Sequence, residues 1–213
     1  LNYDKFQEKG DRIARVIMEY SFNGSPVTKG NFTSTKVLPS FQRNFPEVES
    51  GVRMSDPDRL VKYDDKIFME KKFLYADSTF FQVFSFPLVK GDPAQVLKSP
   101  NMVVLSRSTA KKYFGDENPV GKILQINSSQ DIYTVTGVAE DSPSASQIKF
   151  DFIASFSSLG ATQEETYFNA NYTTYILFKS KAGISSLQGK IGSFMKKEMS
   201  ADPGAYVNYE FEP

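Results

Sequence analysis

The chain contains no Cys and no His, and this double absence narrows what it can fold into more than any other feature. Disulfide frameworks and Cys- or His-ligated zinc sites are unavailable as staples. The fold must therefore be held by an ordinary hydrophobic core. The material for one is present: 19 Phe and 11 Tyr among 213 residues, far too aromatic for a solvated disordered tract. That length suits one large domain or two small ones. The same absence removes thiol nucleophiles, Ser-His-Asp triads and imidazole acid–base catalysis. Only carboxylate, Lys, Tyr or Ser-Lys chemistry is left, and no disulfide reports an oxidising compartment.

Charge excludes a further class. Lys plus Arg number 25 and Asp plus Glu number 25, whereas a nucleic-acid binder carries a basic excess to neutralise phosphates. Lys71-Lys72 and Lys196-Lys197 have acidic neighbours and read as solvated surface. No run approaches the roughly 20 apolar residues that span a bilayer, and no signal peptide is present. The chain starts at Leu1 and stops at Pro213, directly after the strand-like run Tyr206–Phe211. It is therefore expected to be a piece of a longer protein.

Hydrophobic periodicity predicts the elements. Tyr3–Glu8 has helical spacing, broken by Gly10-Asp11. Arg12–Phe22 alternates, with Ala14, Val16, Met18, Tyr20 and Phe22 on the apolar face of a half-buried strand. Ser34 or Thr35 is placed to cap a helix through Val37, Leu38, Phe41 and Phe45, with Pro39 in its first turn and Pro46 as its stop. Val48–Met54, Arg59–Tyr63 and Lys66–Ala76 read as strands, the last two joined by a hairpin turn at Asp64-Asp65. Asp77 or Ser78 is expected to cap one helical turn over Thr79–Phe84, and Phe86–Val89 leads into a turn at Gly91-Asp92-Pro93. Met102–Leu105 is a short apolar strand, after which Ser106 caps a helix Arg107–Phe114 that Gly115 ends. Strands follow at Lys122–Asn127, Tyr133–Val138, Phe150–Ser155 and Tyr172–Lys179. An amphipathic helix Ile184–Met199 presents Ile184, Leu187, Ile191, Phe194, Met195 and Met199 on one stripe, ahead of a last strand Tyr206–Phe211. A β-rich middle flanked by two α/β pieces suggests an insertion into a split domain.

Motifs for chemistry are weak. Gly115–Gly121 follows a helix and lacks a Gly-Lys-Ser/Thr ending, so it reads as a cap and turn rather than a phosphate loop. Ser108 and Lys111 have Ser-x-x-Lys spacing without the partner motifs of that chemistry. Asp56/Asp58, Asp64-Asp65 and Asp116-Glu117 sit at turns and lack calcium-loop spacing. Phe80, Phe81, Phe84 and Phe86 are either a gripping patch for a partner or apolar ligand, or core around a short helix, with core the more common use of such residues. They are the candidate contact residues; no catalytic, cofactor or metal residue is assigned.

Several ordered runs carry a family resemblance. Tyr3–Phe6 with Asp11–Val16, then Phe45–Glu49, Asp77–Phe81, Phe84–Leu88 and Lys90–Pro93, resemble segments of MacB-like/FtsX-like permeases in the same order. The most specific stretch is Val103–Ser106, Ala110–Gly115 and Asn118–Lys122, which is similar to the family's almost residue for residue. Thr136–Val138, Pro143-Ser144 and Phe150–Phe152 continue it, so the resemblance spans essentially the whole chain.

It implies a MacB-like periplasmic core domain of an ABC-transporter permease, with an α+β fold. A porter-like α/β subdomain (1–76 and 150–213) would be split by an inserted β-rich, sabre-like subdomain (77–149). The function implied is to relay ATP-driven conformational change to a substrate or partner protein, without catalysis and without a cofactor. The partners implied are the transporter's membrane helices, a separate ATP-binding subunit and a periplasmic or outer-membrane protein. Nucleic acid is not among them. The domain alone is expected to be a monomer, the permease a dimer, and the location the periplasmic side of the inner membrane. A periplasmic ligand-binding module, or a carboxylate-dependent hydrolase, is the alternative.

Overall fold

The computed structural model describes residues 4–160 and 166–213. Over these the chain first forms β1 (Ile13–Phe22), β2 (Thr28–Gly30), α1 (Val37–Asn44), β3 (Val48–Ser55), β4 (Arg59–Tyr63), β5 (Lys66–Glu70) and β6 (Phe73–Ala76). It continues through α2 (Phe80–Val83), β7 (Leu88–Lys90), β8 (Met102–Ser106), α3 (Arg107–Phe114), β9 (Ile123–Ile126) and β10 (Ile132–Ala139). It closes with β11 (Phe152–Ser155), β12 (Thr173–Phe178), α4 (Lys181–Glu198) and β13 (Ala205–Glu212). This is the mixed α and β class expected. The chain divides into a flanking unit, Lys9–Arg53 with Gln163–Pro213, and a central unit, Leu1–Glu8 with Met54–Thr162. These boundaries, drawn by compactness, differ from the pattern-based points at 76/77 and 149/150.

In the flanking unit the strands run β13-β1-β12-β3, with β1 antiparallel to both β12 and β13. The alternation of β1 does what period 2 requires: Ala14, Val16 and Met18 are buried while Phe22 at the strand end is exposed. α1 and α4 contribute Phe41, Leu187, Ile191 and Met195 to one core with Tyr209 and Phe211 of β13. Phe41 stands edge-on to Tyr209, centroids 5.4 Å apart, the geometry aromatic quadrupoles favour. Gly51 of β3 is a close-approach position, since a Cβ there would meet the Leu38 side chain and lie 2.7 Å from the Tyr175 carbonyl oxygen. The N-terminal flank of α1 is Lys36, which gives no side-chain cap; the Ser34 hydroxyl is buried without a partner. Pro39 falls in the first turn, where its missing N–H costs little.

In the central unit the order is β6-β11-β8-β10-β9-β4-β5, with β7 beside β10 and the last residues of β3 beside β6. β11 runs parallel to β6, and β10 parallel to β8. The β8–β10 pair needs a crossover, and α3 lies within it. Val103, Val104, Leu105, Phe73 and Phe152 are fully buried, as strands of a covered parallel pair should be. The turn between β4 and β5 has two residues, and Asp64 takes φ 51°, which Asp tolerates better than most side chains.

Some expectations need correction. Asp4–Lys9 forms turns followed by a 3-10 turn at Gly10–Arg12, not a helix; Tyr3 lies outside the described residues. Lys66–Ala76 is two strands, because β5 pairs with β4 whereas β6 pairs with β11, and Lys71-Lys72 bridges the change of partner. The flank of α2 is Thr79, with the Asp77 carbonyl accepting from the Phe80 N–H at 3.0 Å.

Candidate functional site

The four candidate aromatics form part of the central unit's core. Phe80, Phe81, Phe84 and Phe86 are 0, 8, 4 and 4% exposed. Phe80 stacks on Phe86 at 5.5 Å, and Phe86 meets Phe6 and Phe150 edge-on at 5.2 Å. Such packing removes ring surface from solvent, so little is left here for a partner or apolar ligand to grip.

The stretch Val103–Lys122 builds the most tightly specified local structure. β8 leads straight into α3, and Ser106 sits at the junction in extended conformation, its Oγ accepting from the Thr109 N–H at 3.3 Å and donating to Thr109 Oγ1 at 2.9 Å. This satisfies an N-terminal donor that the helix cannot satisfy itself. At the other end Gly115 adopts φ 61°, ψ −123°, a combination essentially reserved for glycine, while its N–H still reaches the Lys111 carbonyl at 2.9 Å. Gly121, φ 89°, turns the chain into β9.

α3 is tied to the strands by polar side chains. Glu70, buried at the end of β5, accepts from Tyr113 Oη at 2.6 Å and Lys112 Nζ at 2.7 Å. Burial first, and then the Glu70 carboxylate, push the Tyr113 phenol well above its usual range, so it stays a donor. Tyr75 and Tyr133 meet at 3.4 Å, and desolvation likewise raises Tyr133. At the start of α3, Asp141 accepts from the Ser108 hydroxyl and, at 3.0 Å, from its backbone N–H. Burial opposes the Asp141 charge, but these bonds outweigh it and hold the carboxyl low. Ser108 is thus engaged by an acid, not by Lys111.

In the flanking unit, Glu47 between α1 and β3 accepts from Ser186 at 2.7 Å and pairs with Lys190, both on α4. The Lys190 contact, then Ser186, bring its carboxyl down to about 2. Arg12 Nη1 reaches Glu49 at 2.8 Å and the carbonyls of Phe178 and Lys179 at 3.0 and 3.2 Å. These contacts fasten helix to sheet and strand to strand.

Of the paired acids, Asp64-Asp65 and Glu117 border an open hollow of about 280 Å³ with Lys66 and Tyr113, and Glu117 pairs with Lys122 at 2.8 Å. Among the described residues, no three His, Cys, Asp or Glu are grouped to hold a metal. No helix of the described residues is long and apolar enough to cross a membrane. One feature that periodicity did not single out is a set of exposed aliphatic residues on β4, β5, β9 and β10. Lys66–Glu70 reads as a plain apolar run, and only strand pairing tells which of its sides is covered.

Against known proteins, the family model described as MacB-like periplasmic core domain matches residues 1–194. A domain of a Porphyromonas gingivalis permease protein superposes with a TM-score of 0.81 at 24% identity, covering 97% of this chain and 91% of that one. The periplasmic region of MacB from Actinobacillus actinomycetemcomitans gives 0.60 at 16% identity, covering 90% and 87%. The extracellular domain of the ABC-type transporter YknZ from Gram-positive bacteria gives 0.59 at 15%, covering 90% and 98%. No curated protein matches the chain.

Proposed function

Because the chain belongs to the MacB-like periplasmic core domain family, we propose that it is the extracytoplasmic domain of an ABC-transporter permease, a non-catalytic relay. In this reading ATP hydrolysis in a separate subunit moves the membrane helices, and the domain passes that motion to a substrate or partner protein. The permease acts as a dimer, and the domain lies on the periplasmic side of the inner membrane. The division of labour between a porter-like and a β-rich, sabre-like part belongs to the same proposal. The observation that carries it is the family match over residues 1–194. Each compact unit also has its own ties between helix and sheet, Glu47 to α4 in one and Glu70 to α3 in the other, which supports a domain that passes motion on without losing its packing.

The test uses the full permease with its ATPase in nanodiscs. The chain has no Cys of its own, so Ser129→Cys and Ser193→Cys place one spin label in each unit. A distance distribution that changes between the ATP-bound and ADP-bound states is the expected result. An unchanged distribution during demonstrated ATP turnover would refute the relay.

A further inference from the structure

One face of the central unit's sheet is bare, and its composition is unusual. Leu60 pairs across the strands with Met69, and Lys62 with Ile67. Lys62 also pairs with Gln125, Gln125 with Ile132, and Ile123 with Thr134. Cross-strand partners point to the same side of a sheet, so all of these share one face across β10, β9, β4 and β5. On it Leu60, Ile67, Met69, Ile123 and Ile132 are 36, 53, 58, 47 and 45% exposed. The opposite side is covered over β4 and β9, where Val61 and Leu124 are fully buried and Tyr63 lies against Phe114 of α3; Phe68 of β5 meets Tyr113 but is still 40% exposed.

A sheet with one solvated face normally alternates apolar inward and polar outward. Here large aliphatic residues stand on both sides, and an exposed contiguous patch of that kind marks an interaction site. Lys62 stands among them. It is the charged side chain of these paired positions, and among the described residues its ammonium makes no hydrogen bond or ion pair. It borders an open hollow of about 430 Å³ shared with Tyr63, Asp64, Ile123 and Gln125.

We propose that this face docks an amphipathic helix of a protein partner, its aliphatic stripe on the bare strands and a carboxylate opposite Lys62. The proposal deepens the transporter reading and rests on it for the existence of a partner. Four strands about 4.8 Å apart make a strip roughly 15 Å wide, which suits one helix about 10 Å across. It falls well short of the roughly 800 Å² per partner that a stable dimer buries. A symmetric second copy would bring a second Lys62 into the same strip, with no acid among its paired positions to meet it. An anionic membrane surface recruits clusters of basic residues, whereas the paired positions of this face carry one cation, Lys62. A helix is also the layer that covers such a sheet on its other side.

The probe is a designed amphipathic peptide of about 16 residues, long enough to hold helix, with a leucine stripe and one flanking Glu, beside its Glu→Lys twin. Titrated into the labelled 213-residue chain, the Glu peptide is expected to shift amides of β4, β5, β9 and β10. It should bind about tenfold more tightly than the twin, and Lys62→Glu should reverse that preference. Circular dichroism checks that Lys62→Glu and Ile67→Asp stay folded. Equal affinity for both peptides, or shifts elsewhere, overturns the proposal. Self-association abolished by Ile67→Asp would assign the face to a second copy. Binding to phosphatidylcholine–phosphatidylglycerol vesicles abolished by the same change would assign it to a membrane; either result overturns it. None of these readouts involves ATP, so failure here leaves the relay standing, and failure of the relay leaves the peptide result intact.

Discussion

Ser106 and Tyr113 lie seven residues apart in one stretch of chain, yet only the first could be understood from that stretch. A cap is local: Ser before a helical run accepts from a backbone N–H three residues on, and the structure has that bond. Gly115 is legible in the same way, because a helix stop at positive φ calls for glycine. The role of Tyr113 depends on Glu70, 43 residues away in sequence, which no periodicity connects to it. The candidate aromatics were ambiguous for a related reason: composition gives the rings, but packing decides which way they face. Ser106→Ala should cost about 1 kcal/mol of stability, measured by urea denaturation. Tyr113→Phe should cost about 1.5–3 kcal/mol, because a buried carboxylate loses a charge-assisted bond. If Tyr113→Phe proves neutral, the bond to Glu70 is not holding α3.

Between elements, the Glu47 contact with Ser186 and Lys190 joins the α1–β3 connection to α4. The carboxyl is drawn from 4.5 to about 2 in the folded chain. A lowered folded value stabilises the native state above the unfolded value, and the contribution disappears as pH falls toward the folded one. Melting temperature followed against pH should therefore show Glu47→Gln below the parent at neutral pH. The gap should close between about pH 4.5 and 2, and a gap constant down to pH 2 would show that the charge is irrelevant. Elements themselves were legible where periodicity was long: β1 and α4 lie close to where alternation and the apolar stripe put them. Lys66–Ala76 reads as one strand by period 2, which does not report the change of pairing partner between β5 and β6.

At the scale of the whole molecule, the chain divides into compact units at points that periodicity does not report. Those depend on which strands find each other, and β1 finds β13. The flanking core closes around Phe41, which is fully buried and meets four other rings. Phe41→Ala should cost about 3–5 kcal/mol. Hydrogen exchange should accelerate most in β1, β12 and β13, and acceleration confined to α1 would mean the core does not unfold as one unit. The pairing of β1 with β13 also has a consequence for biosynthesis. Arg15 bonds to Glu212, 197 residues further along. At about 5–20 residues per second, β1 leaves the ribosome roughly 10 to 40 seconds before its outer partner exists. During that interval the apolar side of β1, with Val16 and Met18, has no completed core to enter. A nascent chain of this design must stay unpaired for that interval without aggregating, and slow codons placed late in the message would lengthen it.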